Sequence, residues 1–328
     1  MLKKIAILAS GGNSPGMNNV IITLVRKAAS LKIKCELIND GYKGLVNNLF
    51  SKPILQNLTY FYASGNVIIG SSRFPEMKKK DVLLKAKKNL IKNKIDCLFV
   101  VGGDGSYHGA LELSKLGIHV ICIPGTIDND IASTSKTIGF STALNSIVSS
   151  IDNIRNSFDS HNGIVLVEVM GRRFPDLAIC AAFATQAEGV VTMDNILSAD
   201  EIIEISKQSA KNGHRSCLIV VCEKIYGFNG LPTLKEIADS ISKKTERHCR
   251  IDVLGYIQRG GTPTAEDRIL ASRMGSFAVD YAIKNKKSAA LCYKFNKIFA
   301  LDLHDSIKCL PKKKNSIDLL DYFSYNKF

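Results

Sequence analysis

The amino-acid sequence predicts an α/β fold of two α/β/α lobes, in which helices cover sheets of mostly parallel strands. Short, β-branched apolar runs such as residues 95–101 alternate with helix-periodic stretches, which is typical of strands buried on both faces. Several of these runs stop at glycine-rich or polar turns, as strands do at the carboxyl edge of a parallel sheet. The length of 328 residues exceeds what most small single folds use and suits two lobes.

The predicted elements follow one another in strand–helix order. The first strand covers residues 5–9 and ends at the turn SGGNSPG, after which a helix continues to about residue 30. A second strand covers 34–38, and a lysine-rich helix covers 80–92. The buried run at 95–101 is followed by a crossover helix and a strand at 119–123. In the second half, strands are expected at 164–170, 217–222, 251–254 and 289–293, and helices from 139 to about 159 and over 175–188, 198–211 and 264–284.

The composition argues against zinc-binding, membrane-spanning and secreted proteins. Nine cysteines are scattered without zinc-type spacing, which indicates reduced thiols and a cytoplasmic location. No apolar stretch approaches the roughly 20 residues of a membrane span. The sequence opens on a predicted strand, so we expect no signal peptide. The net charge of +14 comes from lysines spread along the whole chain. We therefore expect neither nucleic acid nor membrane as a partner, and the charge favours an anionic substrate.

Two polar loops follow neighbouring predicted strands and have complementary chemistry. The first, GGDGS at 102–106, combines glycines that admit a phosphate with Asp104, an oxygen ligand suited to Mg²⁺. The second, PGTIDND at 124–130, offers Asp128 and Asp130 beside Thr126. One carboxylate can accept a proton from an attacking alcohol while the other orients it. The pair of loops predicts phosphoryl transfer.

These loops also carry a family resemblance, because GGDGS and PGTIDND are similar to segments of the ATP-dependent 6-phosphofructokinases. The resemblance extends in order along nearly the whole chain, through GGNSPGMN at 11–18, GSSRFP at 70–75, VEVMGR at 167–172, VLGYIQRGG at 253–261 and DRILASRMG at 267–275. It implies a nucleotide-binding lobe (1–139 and about 258–308), a sugar-phosphate lobe (about 140–257 and 309–328), an active site in the cleft between them, and a homotetramer.

The resemblance also implies roles for individual residues. ATP is expected to contact Gly12, Tyr42 (against the adenine), Arg73, Phe74, Gly103, Gly105 and Ser106, with Mg²⁺ on Asp104. Fructose 6-phosphate is expected to contact Thr126, Asp128, Met170, Gly171, Arg172, Glu223, Arg250, Tyr256 and Arg259. Catalysis is expected from Asp128 as proton acceptor, with Thr126, Asp130, Arg73 and Arg172. Pyrophosphate-using relatives carry Asp and Lys where this chain has Gly105 and Gly125, so the resemblance favours ATP as phosphoryl donor.

The sequence departs from the family pattern at the sugar end. Gly163 stands where the family has an arginine that reaches a neighbouring subunit's sugar phosphate, and Tyr256 replaces a histidine. Asn13 replaces an aspartate, and Arg173 is an additional cation that could compensate for Gly163. Losing one guanidinium–phosphate contact costs roughly 1.5–3 kcal/mol of binding. Two alternatives therefore stay open: a kinase for tagatose 6-phosphate or sedoheptulose 7-phosphate, and a catalytically weak regulatory subunit.

The effector site implied by the resemblance is also mixed. Relatives bind ADP or phosphoenolpyruvate between subunits through basic residues. Four positions of this chain match that site: Arg26, Arg155, Glu188 and Arg215. At three others, Ile22, Asn212 and His214 stand where the pattern has Arg or Lys. We therefore expect allosteric control by these effectors to be weakened.

Overall fold

The structure, a computed structural model, describes residues 2–172, 174–245 and 247–309. The predictions made for Arg173 and for the segment 310–328 lie outside the described residues. Of the described residues, 2–142 and 259–309 form one compact unit, called here the first unit, and 143–258 form the second unit. The assignment of the nucleotide to one lobe and the sugar to the other stays a prediction.

The strands of the described residues are β1 Lys4–Ser10, β2 Lys34–Ile38, β3 Phe50–Ser51, β4 Cys97–Gly102, β5 Val120–Pro124, β6 Ile164–Val169, β7 Gly189–Val191, β8 Cys217–Cys222, β9 Cys249–Val253, β10 Ala289–Lys294 and β11 Lys297–Asp302. The α-helices are α1 Met17–Ser30, α2 Gly41–Val46, α3 Leu55–Thr59, α4 Lys80–Lys92, α5 Asp104–Lys115, α6 Phe140–Phe158, α7 Asp176–Ala184, α8 Ala199–Lys211, α9 Leu234–Thr245, α10 Ala265–Lys284 and α11 Leu303–Lys308.

The first unit is built on a seven-stranded sheet in the order β11-β10-β5-β4-β1-β2-β3. Its five central strands pair in parallel, and the two edge strands β3 and β11 pair antiparallel. Both faces of this sheet are covered by a hydrophobic core. In strand β1, Ile5 and Ile7 belong to one core cluster, and Ala6 and Leu8 belong to another. Alternate side chains of a strand point to opposite faces. Helices α1 and α10 contribute to the first cluster, and α4 and α5 to the second.

The second unit contains a four-stranded sheet in the order β7-β8-β6-β9, with every pairing parallel. All six residues of β8, CLIVVC, are buried, as expected of a strand covered on both faces. Helix α8 begins at a complete capping box, in which Ser198 and Glu201 each bind the other's backbone N–H. This arrangement satisfies two donors that the first turn of a helix otherwise leaves unpaired.

The predicted α/β class with mostly parallel sheets is confirmed. The helix predicted over 175–188 is shorter and ends at Ala184. The short strands β3, β7 and β11 and the helix α9 were not predicted. Two of these strands have only two or three residues, too few for a period-2 pattern to stand out. In the described part of the chain, no helix combines the length and apolar character needed to cross a membrane.

Candidate active site

The predicted phosphate and carboxylate loops lie side by side in the first unit. Register aligns Ser10 of β1 with Gly102 of β4, and Gly102 with Pro124 of β5. The three adjacent strands therefore end at one level, where ligands of open α/β sheets bind. A Cβ built on Gly103 would lie 3.3 Å from the Cβ of Thr126, which places the two loops in van der Waals proximity.

The loop at 102–106 leads directly into α5, whose N-cap is Gly103. Asp104 occupies the first turn, and its side chain is 57% exposed, with one carboxylate oxygen 3.7 Å from Nε2 of His108. A Cβ on Gly105 would meet no atom within 4 Å, so there is open space beside this residue. Exposed first-turn N–H groups, a carboxylate and open space form a suitable binding place for a phosphate with its cation.

The structure corrects one prediction on the nucleotide side, the one for Tyr42. The ring of Tyr42 was predicted to lie against an adenine, but Tyr42 is 2% exposed and packs in a core cluster of the first unit. Its hydroxyl donates to the Ser106 carbonyl at 2.7 Å. The hydroxyl of Ser106 is likewise buried and donates to the Ser10 carbonyl at 3.1 Å. Both side chains therefore hold the loop in shape, and neither presents its hydroxyl to a ligand.

Gly125, where pyrophosphate-using relatives carry Lys, lies against the core of the first unit. A Cβ there would lie 3.0 Å from Cγ1 of Val101 and 3.1 Å from Cε of Met17. Both atoms belong to buried core residues. A side chain at position 125 would therefore press on core residues behind the loop, whereas the open space lies beside Gly105.

Local hydrogen bonds hold the backbone of the loop at 124–130, which carries two buried carboxylates. Asp128 and Asp130 are 2% and 8% exposed. The Asp128 N–H donates to Oγ1 of Thr126 at 3.2 Å. The hydroxyl of Thr137 in turn donates to the Thr126 carbonyl at 2.7 Å. Asn129, between the two carboxylates, has a positive φ of 49°, a conformation that asparagine tolerates better than most residues. These features fix the backbone from which the Asp128 side chain extends.

Arg259 joins this loop to the glycine turn at residues 11–16. Its Nη2 lies 3.8 Å from Oδ1 of Asp128, with both side chains nearly buried. Its Nη1 donates to the Asn13 carbonyl at 3.2 Å, and a Cβ on Gly12 would lie 2.8 Å from the same nitrogen. The Asn13 side chain donates to the carbonyls of Arg259 (3.0 Å) and Gly65 (3.3 Å). The predicted sugar-phosphate arginine thus lies next to the predicted proton acceptor.

The segment 70–75 lies along the same turn. Gly11 N–H donates to the Ser72 carbonyl at 3.1 Å, and Ser10 forms a parallel bridge with Ser72. Arg73, the next residue, is exposed. Phe74 is half-buried and packs against the core cluster that also contains Tyr42. The structure therefore brings Arg73 beside the glycine turn, with a free face to solvent.

In the second unit, four predicted sugar contacts meet at the carboxyl ends of β6 and β8. The Arg172 N–H donates to Oε1 of Glu223 at 3.0 Å. Gly171 has a φ of 140° and a Cβ there would lie 2.6 Å from the Phe174 carbonyl, so only glycine suits this turn. The Met170 N–H donates to Oε1 of Gln258 at 2.9 Å. Gln258 is fully buried, and sequence reasoning gave it no role.

The structure does not bring Arg250 to this group. Arg250 is exposed and pairs with Val165, near the start of β6. Five residues of strand separate Val165 from Met170, roughly 17 Å at the rise of a parallel strand. Tyr256 is 83% exposed. The predicted roles of these two residues in sugar binding stay predictions.

The structure explains the glycine at position 163. A Cβ there would lie 2.8 Å from Cζ of Phe158 and 2.9 Å from the His248 carbonyl. An arginine therefore does not fit the backbone as it stands. Arg247, which the sequence did not single out, ties the same segment down by donating to the Asn162 carbonyl (3.0 Å) and its Oδ1 (2.8 Å).

The predicted effector residues fall in different units. In the second unit, a guanidinium nitrogen of Arg155 lies 3.6 Å from Oε1 of Glu188, and Nδ1 of His214 lies 3.9 Å from the same oxygen. Arg215 is exposed. Arg26 belongs to the first unit and donates to the Thr59 hydroxyl at 3.3 Å. The matched positions are thus partly assembled, and their effector role stays a prediction.

Asp267 is a buried carboxylate to which sequence reasoning gave no function, although its segment DRILASRMG was noticed. It is fully buried and accepts the N–H groups of Gly139 and Thr142, both at 2.8 Å. Burial raises the pKa of Asp267, and these hydrogen bonds partly oppose the rise. The residue fixes the start of α6 against α10.

Comparisons with known proteins identify the family. The family model described as Phosphofructokinase matches residues 4–282. The chain belongs to the phosphofructokinase family. It is 45% identical to an ATP-dependent 6-phosphofructokinase of Mycoplasma mobile, over 98% of this chain and 97% of that protein. It is 42% identical to the ATP-dependent 6-phosphofructokinase of Clostridioides difficile, over 93% and 94%.

Solved structures of phosphofructokinases share the fold. The phosphofructokinase of Saccharomyces cerevisiae superposes with a TM-score of 0.87 at 30% identity, covering 99% of this chain. This chain spans about half of that longer one, 48%. A pyrophosphate-dependent phosphofructokinase of Marinobacter aquaeolei superposes with a TM-score of 0.80 at 18% identity, covering 98% of this chain and 91% of the other. At that identity the likeness concerns the fold alone.

Proposed function

We propose that this phosphofructokinase-family chain transfers the γ-phosphoryl group of ATP to the 1-hydroxyl of D-fructose 6-phosphate, giving fructose 1,6-bisphosphate in glycolysis. The observation that carries the proposal is the contact between the glycine loop at Gly103 and the carboxylate loop at Thr126. Phosphates held by the first loop are then within reach of a hydroxyl held by the second. The names of the relatives favour this reaction and give no support to the alternative sugars or to a regulatory subunit.

In this mechanism Asp128 accepts the proton of the sugar 1-hydroxyl as the oxygen attacks the γ-phosphorus. The new bond joins the sugar oxygen to phosphorus, and the bond from phosphorus to the β–γ bridging oxygen breaks, so ADP leaves with that oxygen. Thr126 orients the base, because its side chain accepts the Asp128 N–H and so fixes the Asp128 backbone. Asp130 orients the sugar hydroxyl. Such a reaction depends mainly on positioning and on charge stabilisation.

The arginines and the start of α5 would supply that charge stabilisation. Arg73 is exposed beside the glycine turn, and Arg172 of the second unit is assigned to the transferred phosphoryl. The exposed carboxylate of Asp104 fits the hard-oxygen site that Mg²⁺ uses together with substrate phosphates. When bound, Mg²⁺ neutralises developing charge on the phosphate oxygens. Asp104 would hold the ion, and the first-turn N–H groups of α5 would orient the phosphates.

We infer three further properties of this enzyme, which concern its assembly, its effectors and Arg250. The enzyme acts as a homotetramer in the cytoplasm. ADP or phosphoenolpyruvate acts at a site that includes Arg155 and Glu188, with weakened effect. Arg250 lies far from Met170 on the sheet, a position that suits contact with the sugar phosphate of a second subunit.

The deciding experiment is steady-state kinetics with Mg-ATP and fructose 6-phosphate, with tagatose 6-phosphate and sedoheptulose 7-phosphate measured alongside. Replacing Asp128 by Ser removes the proton acceptor, and we expect kcat to fall about 10²- to 10⁴-fold. The matched control is Asp239→Ser, an exposed aspartate of α9, which should keep wild-type kcat. Turnover of another sugar phosphate with a higher kcat/KM, or full activity of Asp128→Ser, would contradict the proposal.

A further inference from the structure

The first unit contains a cavity of about 460 Å³ away from the residues discussed above. Its walls are the end of α5 with the turn that follows, the loop before β10, and the junction of β11 with α11. Strands β5 and β10 begin at this edge, whereas the carboxylate loop follows the other end of β5. The volume lies in the range of pockets that hold small organic ligands.

The lining of this cavity is strongly basic. Three lysines, two histidines and one carboxylate line the cavity. These residues are Lys115, Lys286, Lys287, His119, His304 and Asp302. The lining therefore carries a net positive charge even when both histidines are neutral. Walls of one sign of charge concentrate ligands of the opposite sign.

The acidic groups nearby are Asp302, Asp305 and Glu112, and each already has a partner; a carboxylate oxygen of Asp305 lies 3.7 Å from Nδ1 of His304. The carboxylate of Asp302 accepts the N–H groups of His304 (2.9 Å) and Asp305 (3.3 Å) and so caps α11. Glu112 pairs with Lys115 at 2.6 Å. Within the described ranges, the ion pairs include none that neutralises Lys286 or Lys287. Two lysine charges are thus available to a ligand.

The walls are held in place before any ligand binds. A ring nitrogen of His119 lies 3.2 Å from the Lys287 carbonyl, in hydrogen-bond contact. The Ser288 hydroxyl accepts the Val120 N–H at 3.0 Å and donates to the Ile118 carbonyl at 3.3 Å. The loop that carries the two lysines is therefore fixed to the start of β5. Preorganised walls lower the ordering cost of binding.

One feature opposes an anion here, because the end of α5 carries partial negative charge. Its last carbonyls are capped, however: Gly117 N–H donates to the Ser114 carbonyl at 2.9 Å and Ile118 N–H to the Leu113 carbonyl at 3.2 Å. The remaining effect is about half an elementary charge, smaller than the charge of two lysines.

We propose that this cavity is a second ligand site, which binds the phosphate group of a small phosphorylated metabolite. Lys286 and Lys287 pair with the phosphate dianion, and the remaining volume accommodates the organic part of the molecule. The site uses no residue assigned to the kinase reaction, so it stands whether or not the proposed activity is correct.

The test measures lysine acetylation by mass spectrometry during a titration with inorganic phosphate. When the phosphate concentration is ten times the dissociation constant, only about a tenth of the sites are empty. We therefore expect Lys286 and Lys287 of the wild-type protein to be acetylated about tenfold more slowly than without phosphate. Lys85 and Lys88, exposed on α4, should react at an unchanged rate. No protection of Lys286 and Lys287 at any phosphate concentration would overturn the proposal.

A pair of variants gives a second readout. Replacing Lys286 and Lys287 by Gln should reduce the rise in Tm that phosphate produces, because one phosphate site is lost. Replacing Lys85 and Lys88 by Gln removes the same charge elsewhere and should keep the wild-type rise. An equal rise in both double variants would overturn the proposal. Kinase activity without added phosphate, measured in parallel, should be the same for both double variants and the wild type.

Discussion

At the scale of single residues, Arg259 is the side chain whose surroundings say most about ligand binding. It lies against the backbone of Gly12 and within 3.8 Å of Asp128. A guanidinium in that position can turn to a sugar phosphate without leaving the site. Its partners are the Asn13 carbonyl and the Asp128 carboxylate, and at 3.8 Å the carboxylate is too far to form the forked hydrogen bonds that a phosphate can accept from a guanidinium.

We therefore expect Arg259→Ala to raise the KM for fructose 6-phosphate about 10- to 150-fold, which corresponds to one lost charged hydrogen-bond pair. The KM for ATP should change less, since the nucleotide loop keeps its own contacts. Steady-state kinetics with each substrate varied in turn measures both values. Arg273→Ala is the control, because Arg273 binds Asn296 on the surface. An unchanged KM for the sugar phosphate would remove Arg259 from that role.

Gly163 gives a second residue-scale prediction, because its neighbours leave no room for a side chain. Gly163→Arg restores the family's arginine but forces Phe158 and the backbone at His248 apart, so we expect about 1–3 kcal/mol of destabilisation. Phe158→Ala opens that space. The free energy of unfolding of the double variant should therefore fall by less than the sum of the two single losses. We expect the difference, the coupling energy, to be about 0.5–3 kcal/mol.

Urea unfolding of the four proteins measures this coupling. Additive effects within about 0.5 kcal/mol would mean that Phe158 does not exclude the arginine. A lower KM for fructose 6-phosphate in stable Gly163→Arg would likewise contradict the steric account.

At the scale of elements, adjacent parallel strands place two carboxylates together in the second unit. Glu168 lies within β6 and Glu223 comes just after β8, and the two strands pair in a register that aligns Val169 with Cys222. Burial raises the pKa of Glu168, and the charge of Glu223 raises it further. The folded protein therefore binds a proton at Glu168 more tightly than the unfolded chain does.

This arrangement predicts a pH effect of definite sign. Because the folded pKa of Glu168 is raised, its contribution to stability is present at acidic pH and is lost as pH rises through that pKa. Glu223→Gln removes the like charge, so the pKa of Glu168 should fall but stay above its ordinary value, since burial remains. The stability lost with rising pH should then be smaller. NMR titration of labelled glutamate and unfolding at several pH values measure both effects.

Glu236→Gln serves as the control, because Glu236 lies on α9 and binds Thr233. A pKa of Glu168 that does not move in Glu223→Gln would show that burial alone raises it.

The elements also show what the sequence could and could not predict. The sequence predicted strands β4, β5, β6 and β8 correctly. A strand that is buried on both faces has a continuous run of apolar residues, and such a run is easy to recognise. The two site loops were found because polar residues follow those runs at once. Gln258 and Arg247 were missed, since their partners, Met170 and Asn162, lie about 85 residues away. Tyr42 was misassigned because nothing in its local sequence shows that its ring is buried.

At the scale of the whole molecule, the distance between Arg250 and Met170 raises the question of which subunit each residue serves. Both lie on one sheet, but Arg250 is level with Val165, near the opposite end of β6. If Arg250 binds the sugar phosphate of its own subunit, it lies too far along the sheet from Met170 and the predicted sugar contacts near it. If it serves a second subunit, its exposure at the edge strand β9 is explained.

The two cases differ in a complementation experiment. Asp128→Ser lacks the proposed proton acceptor, and Arg250→Ala lacks a proposed phosphate ligand, so each homo-oligomer should be weakly active at low fructose 6-phosphate. In mixed oligomers, a site that takes Asp128 from one subunit and Arg250 from its neighbour contains both intact residues. Activity should therefore recover on mixing and reassembly, with a maximum near equal proportions. Native mass spectrometry would verify that mixed oligomers form. Mixed oligomers without recovered activity would assign Arg250 to its own subunit, and monomers throughout would contradict the proposed tetramer as well.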